Sequence, residues 1–139
     1  MESVSSSNKI KVLVVDDEHS IADTLTAILK LHGFDTATAY CGTTAVAAAR
    51  LWNPDILLSD VVMPGMNGIE AAVCIRAAQP NCKVLFFSGH NLAYDKLADS
   101  HDTGNFKILQ KPIHPVELIE ALRALAADDS PTGSLERAS

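Results

Sequence analysis

The sequence is short of basic residues, paired cysteines, metal-type histidine spacings and long apolar runs, and each shortage removes a class of function. Eleven Lys and Arg stand against seventeen Asp and Glu, for a net charge of −6. A general grip on nucleic acid needs a concentrated basic face that releases phosphate counterions, so direct nucleic-acid binding is not expected. Cys41, Cys74 and Cys82 are odd in number, widely spaced, and fit neither C-x-x-C nor a zinc pattern; they read as reduced packing thiols. The histidines at 19, 32, 90, 101 and 114 show no H-x-x-x-H or H-E-x-x-H spacing, which argues against a dedicated transition-metal site. No apolar run reaches the roughly 18 residues that span a bilayer. "MESVSSSNK" lacks a basic-then-apolar signal pattern, so the cytoplasm is the expected location and no membrane partner is expected.

What remains is the composition of an ordinary globular protein, 47% apolar and 20% charged. A chain of 139 residues has room for one domain. We expect a flexible start over residues 1–8, a folded unit over 9–127, and a Ser-, Pro- and Gly-containing tail or linker over 128–139.

Hydrophobic patterning within that unit alternates between two periods. "KIKVLVV" is a β-branched run of the kind that a strand buried on both faces shows, and it ends at "DDE". Ile21, Leu25, Ile28 and Leu29 then recur at helical spacing, with Gly33 as a stop. "FDTATAY" reads as a second strand, and Thr43 or Thr44 as the cap of an Ala-rich helix. "DILLS" is a third strand, followed by a helix that Asn67 caps, with Ile69, Val73 and Ile75 or Ala72 and Arg76 on opposite faces. "KVLFFS" is a fourth strand, "NLAYDKLADS" a weaker helix, and "FKILQ" a fifth strand. The last helix, "HPVELIEALRALAA", carries Val116, Ile119, Leu122 and Leu125 as its stripe. Five strands alternating with five helices define an α/β domain with a mainly parallel sheet.

Right-handed crossovers bring the C-terminal ends of such strands to one edge, where ligands bind. Strand one closes on Asp16, Asp17 and Glu18, strand three on Asp60, strand four on Ser88 and strand five on Lys111. Taken singly, these residues suit helix N-termini, caps or a solvated amine. Gathered at one edge they do not, because crowded carboxylates disfavour their charged forms unless a cation compensates. Mg²⁺, which takes oxygen ligands, and Lys111 both suit that role. A carboxylate so surrounded is equipped to accept a phosphoryl group, with Ser88 donating its hydroxyl to the product.

"VLVVDDE", "NPDILLSDVVMPGMNGIE", "VLFFSGH" and "KPI", in this order and at these distances, resemble the receiver domain of bacterial two-component response regulators, over roughly residues 11–126. The resemblance implies a doubly wound, flavodoxin-like (βα)5 fold with strand order 2-1-3-4-5 and helices on both faces. It implies that Asp60 is the phosphoacceptor. Asp17, Asp60 and the backbone carbonyl of Val62 would hold Mg²⁺ directly, and Asp16 would act through water. Lys111 would pair with the phosphoryl group, Ser88 would swing toward it, and the Lys111-Pro112 bond would be cis. The implied partners are a histidine kinase or phosphotransfer protein, and a downstream protein or a second copy, read through the fourth helix, fifth strand and fifth helix. Such a domain is not an enzyme in the usual sense, although it catalyses its own phosphorylation and dephosphorylation.

The sequence departs from this pattern at several points. Ile108 stands where the family usually has Tyr or Phe, with Phe106 two residues earlier. Gly89 follows the hydroxyl residue in place of the common Ala, and the span from Ser88 to Lys111 is a residue longer than is common. "YDKLADSHDTGN" has few apolar anchors, which predicts a short or mobile fourth helix. Val62 and His90, two residues after Asp60 and Ser88, are expected to influence the phosphoryl lifetime. Two other readings are a phosphorylation-independent docking receiver, prompted by Ile108, and an aspartyl-phosphate Mg²⁺ phosphohydrolase, which would place a second acid where Val62 stands.

Overall fold

A computed structural model describes residues 9–89 and 107–128. The expected fourth helix, His90, Phe106, the first eight residues and the tail from 129 onward lie outside the described residues. Five strands, β1 (Lys11–Val15), β2 (Asp35–Ala39), β3 (Ile56–Asp60), β4 (Lys83–Ser88) and β5 (Lys107–Gln110), form one sheet in the order β2-β1-β3-β4-β5. All four pairings are parallel. Four helices are described: α1 (His19–Leu31), α2 (Gly42–Trp52), α3 (Gly68–Ala78) and α4 (Pro115–Ala127), the last being the fifth helix of the sequence reading.

The central strands β1, β3 and β4 carry continuous apolar runs because both faces of the sheet are covered. Successive strand residues point to opposite sides, so each strand feeds two cores. Leu13, Val15, Leu57 and Phe86 pack with Ala45 and Ala49 of α2 and with Ile69, Ala72 and Ile75 of α3. Val12, Val14, Leu58 and Phe87 pack with Ala22, Leu25 and Leu29 of α1 and with Leu118, Ile119 and Leu122 of α4. The edge strand β2, "DTATA", is half-buried over its first four residues, which accounts for its weak alternation.

Helix ends follow local chemistry where a side chain supplies the cap. Asn67 caps α3 as expected, accepting from the Glu70 N–H while the Glu70 carboxylate accepts from the Asn67 N–H, both at 2.9 Å. Past α1, Gly33 takes φ +89 and stops the helix. The expected Thr cap of α2 is corrected: the N-cap is Cys41, and Thr43 and Thr44 lie in the first turn. Gly42, the first residue of that helix, is buried against Met66, a contact distant in sequence.

Two expected stripes are also corrected. Val116 is 68% exposed, and α4 buries Leu118, Ile119 and Leu122 instead. At about 100° per residue, positions three apart drift by about 60° per step, so Val116 and Leu125 end up on opposite sides of the helix. On α3, Ile69, Ala72 and Ile75 point inward together, whereas Val73 reaches solvent. Of the cysteines only Cys82 is buried; Cys74 is exposed and Cys41 half-buried, so a packing role fits one of the three. No helix of the described residues is long and apolar enough to cross a membrane.

Candidate functional site

β3 carries its apolar residues into both cores and ends on Asp60, which is therefore delivered to the sheet edge on a rigid element. Asp16 follows β1 directly, Ser88 ends β4, and Lys111 follows β5. Asp16, Asp60 and Ser88 are all buried, at 0%, 3% and 0% exposure. Polar groups hidden to this degree need partners. Lys111 is the partner for two of them: its Nζ donates to Asp16 Oδ2 at 3.1 Å and to Asp60 Oδ2 at 3.3 Å. Glu18 Oε1 lies 3.8 Å from the same ammonium, and the Phe87 ring centroid 5.2 Å from it.

The remaining acceptors of the acid pair are treated differently. Asp16 Oδ1 accepts from the Glu18 N–H at 2.9 Å. Asp60 Oδ1 is buried with no hydrogen-bond partner. Ligand oxygens of Asp16, Asp17 and Asp60 all lie within 4.8 Å of one another. Such crowding shows in the proton affinities. Burial pushes Asp16 up to about 6, opposed by the Glu18 N–H and raised further by the charge of Asp60. Burial likewise raises Asp60, against the charge and hydrogen bond of Lys111 and the Val62 backbone N–H. Burial alone would lower Lys111, but the charges and hydrogen bonds of Asp60 and Asp16 outweigh it and hold the ammonium above the usual lysine value.

One ammonium thus serves the two buried members of a crowded trio of carboxylates, and one buried carboxylate oxygen is left without a donor. Those are the features of a donor set with room for a hard cation, and three carboxylates are ligands of the type Mg²⁺ takes. The residues fit the ion.

Other expected residues fall near this centre. The Ser88 carbonyl accepts from the Lys111 N–H at 3.0 Å, tying β4 to the residue after β5. The Lys111-Pro112 peptide bond is cis. Val62 is half-buried, packed against the α2–α3 core in the segment after Asp60. Ile108 sits opposite Phe86 in the β4–β5 register and packs half-buried against that core. Two further residues touch Asp60, and sequence reasoning did not single out the first of them. Ser59 donates its buried hydroxyl to the Asp60 carbonyl at 2.8 Å, and Gly68 lies against that same carbonyl. Ser59 had one sequence signal, a hydroxyl inside an otherwise apolar run.

A parallel 2-1-3-4-5 sheet with an acid triad and a lysine at its C-terminal edge defines a flavodoxin-like signalling domain of the receiver class. A family model described as the response regulator receiver domain matches residues 12–123. The chain belongs to this family, and so is a receiver domain of the two-component type. It is 35% identical over 127 residues to the "DNA-binding response regulator MtrA" of Mycolicibacterium paratuberculosis, covering 90% of this chain and 56% of the relative. The chain thus spans about half the length of the curated relatives it matches. Among solved structures, the chemotaxis protein CheY4 of Vibrio cholerae superposes with a TM-score of 0.74 at 30% identity, covering 84% of this chain and 98% of that one. The response regulator TrrA of Thermotoga maritima, solved in complex with Mg(2+)-BeF, does so with a TM-score of 0.73 at 28% identity over 84% and 98%.

Proposed function

We propose that this chain accepts a phosphoryl group on Asp60, from a histidine kinase, a phosphotransfer protein or a small acyl phosphate, and passes the change to a protein partner. The observation that carries this reading is Asp60 itself. It is a carboxylate 3% exposed at a strand end, with one oxygen on Lys111 and the other without a donor. A nucleophile so held needs little reorganisation, and the transferred group meets a positive charge already in place. An Asp60 oxygen attacks phosphorus, the bond from phosphorus to the donor's nitrogen or oxygen breaks, and the donor leaves with the electron pair. Lys111 pairs with the incoming phosphoryl oxygens, and Ser88 donates its hydroxyl to one of them.

Asp17, Asp60 and the Val62 carbonyl would hold Mg²⁺ directly, and Asp16 through water. When bound, the ion supplies positive charge that neutralises the oxygens of the moving group. The carboxylate's own charge is then replaced by a phosphoryl group that carries about −1.5 to −2 charge and three strong acceptor oxygens at the edge of the sheet. Driving a two-state equilibrium from 1:99 to 99:1 takes about 5.5 kcal/mol of differential interaction, within reach of an improved ion pair and a hydroxyl hydrogen bond. Output through β5 and α4 to a protein target or a second copy, within a unit spanning 9–127, completes the reading. Val62 offers a hydrolase mechanism no second acid.

Intact mass after incubation with acetyl phosphate and Mg²⁺ tests it. One added phosphoryl group is expected in the wild type and none in Asp60→Asn; a wild type that stays unmodified overturns the proposal.

A further inference from the structure

Four of the five described glycines fall into two kinds. Gly33 and Gly65 adopt φ +89 and +71 with open space around them, so there the backbone conformation demands glycine. Gly42 and Gly68 show no such conformation and are short of space instead. A Cβ on Gly42 would come within 2.7 Å of the Met66 carbonyl oxygen and 2.8 Å of Met66 Cβ and Cγ. A Cβ on Gly68 would run into the Asp60 carbonyl oxygen and lie 2.9 Å from Ser59 Oγ. Both collisions are with backbone that cannot turn aside, unlike the end of a long side chain.

These two seats bracket one short segment, residues 61–67. It leaves Asp60, returns through Met66 to rest on the first residue of α2, and re-enters helix at Gly68 against the carbonyl of Asp60. Its interior is pinned as well: Val61 and Met63 are buried at 0% and 6% exposure, and the Gly68 N–H donates to the Val61 carbonyl at 2.9 Å. Val62 lies between these anchors.

We propose that Gly42 and Gly68 are positioning residues that clamp this segment, holding the Val62 backbone at a fixed place relative to the Asp60 carboxylate and so setting the affinity of the acid site for Mg²⁺. The inference rests on the reading of Asp60 as phosphoacceptor and extends it to α2, an element that contributes no side chain to the acid cluster. Displacing a ligand-bearing backbone by a few tenths of an ångström is enough to misplace such a site, because both the ion and the incoming group demand fixed geometry.

The test measures two things on the full chain at low temperature: Mg²⁺ affinity by titration calorimetry, and the Asp60 phosphorylation rate with saturating acetyl phosphate by intact mass. Gly42→Ala and Gly68→Ala are expected to fold, by circular dichroism, with Mg²⁺ Kd raised fivefold or more and the rate lowered by a similar factor. Gly33→Ala, remote and strained, is expected to lower Tm while both readouts stay within twofold of wild type, which separates positioning from general stability. Should either alanine variant fail to fold, Met66→Gly loosens the α2 contact without adding an atom and is expected to weaken Mg²⁺ binding likewise. Unchanged Mg²⁺ affinity in folded Gly42→Ala, or in Met66→Gly, overturns the clamp. A wild type that binds Mg²⁺ but takes no phosphoryl group removes the phosphoacceptor reading, and Mg²⁺ affinity then decides the clamp by itself.

Discussion

Lys111 Nζ donates to Asp60 Oδ2 at 3.3 Å across a sequence separation of 51 residues, and the same ammonium holds Asp16 at 3.1 Å. The lysine is therefore placed for two roles, and a single substitution removes both. As a structural cation it compensates two buried carboxylates; in the proposed reaction it would also meet the phosphoryl oxygens. In Lys111→Met both acids lose their shared partner, and their proton affinities rise further. Phosphorylation by acetyl phosphate should slow by about one to two powers of ten, the value of a charge-assisted hydrogen bond of roughly 1.5–3 kcal/mol. Intact-mass time courses measure this; a rate within twofold of wild type would place the lysine outside the reaction.

The acid pair also predicts how stability depends on pH. Asp16 has its folded pKa pushed up to about 6 from an ordinary 3.8, so the folded chain holds a proton that the unfolded chain gives up more easily. The stability this contributes is full below the unfolded value and is lost as pH rises through about 6, with Asp60 raised in the same direction. Metal-free protein should thus show a falling Tm between about pH 4 and pH 7, with a smaller slope in Asp16→Asn. Mg²⁺ competes with those protons, so its stabilisation should be small at pH 5 and larger at pH 7.5. Equal Mg²⁺-induced shifts in Tm at the two pH values would contradict the raised acids.

Much of this arrangement is legible in the sequence, for identifiable reasons. β1, β3 and β4 are buried on both faces, so their apolar runs stop abruptly, and the polar residues after the stops mark the sheet edge. Burial of Asp16 and Asp60 around Lys111 follows from that placement once the strands are parallel and adjacent. What local reading misses depends on contacts between distant segments. α2 starts at Gly42, against Met66 24 residues later, and neither threonine nearby announces that start. Val116 fails as a core residue because spacing by three rotates steadily off one face, which counting apolar positions does not detect. Ser59 shows in the sequence only as a hydroxyl in an apolar run, because its role is fixed by the Asp60 carbonyl rather than by any motif.

The capping box on α3 couples the helix to the same edge. Asn67 and Glu70 satisfy two N-terminal N–H groups reciprocally, one residue before Gly68 meets Asp60. Asn67→Ala removes one of these bonds and should cost about 1 kcal/mol. For a domain of this size that corresponds to a Tm lower by roughly 4 °C. Asn67→Asp, which keeps the acceptor and adds charge favourable to a helix N-terminus, should recover most of the loss. Thermal melts of the three proteins decide it; an Asn67→Ala melt that matches wild type would show that the cap is replaced by solvent.

Cys41 gives the last prediction, and it comes from geometry that composition conceals. Its Sγ lies 3.4 Å from Thr43 Oγ1 and 3.2 Å from Thr44 Oγ1 at the start of α2. Hydroxyl and backbone donors favour the thiolate, and they bring the thiol down to about 7 from an ordinary 9. Burial pushes Cys82 the opposite way, up to about 12. The thiolate is the nucleophile, so alkylation of Cys41 by iodoacetamide should rise with pH through a midpoint near 7, while Cys82 in the folded chain stays unmodified. Peptide mapping by mass spectrometry resolves the sites. In Thr43→Val the first of these hydroxyls is gone and the Cys41 midpoint should move upward; an unmoved midpoint would show that the hydroxyl does not set the thiol's acidity.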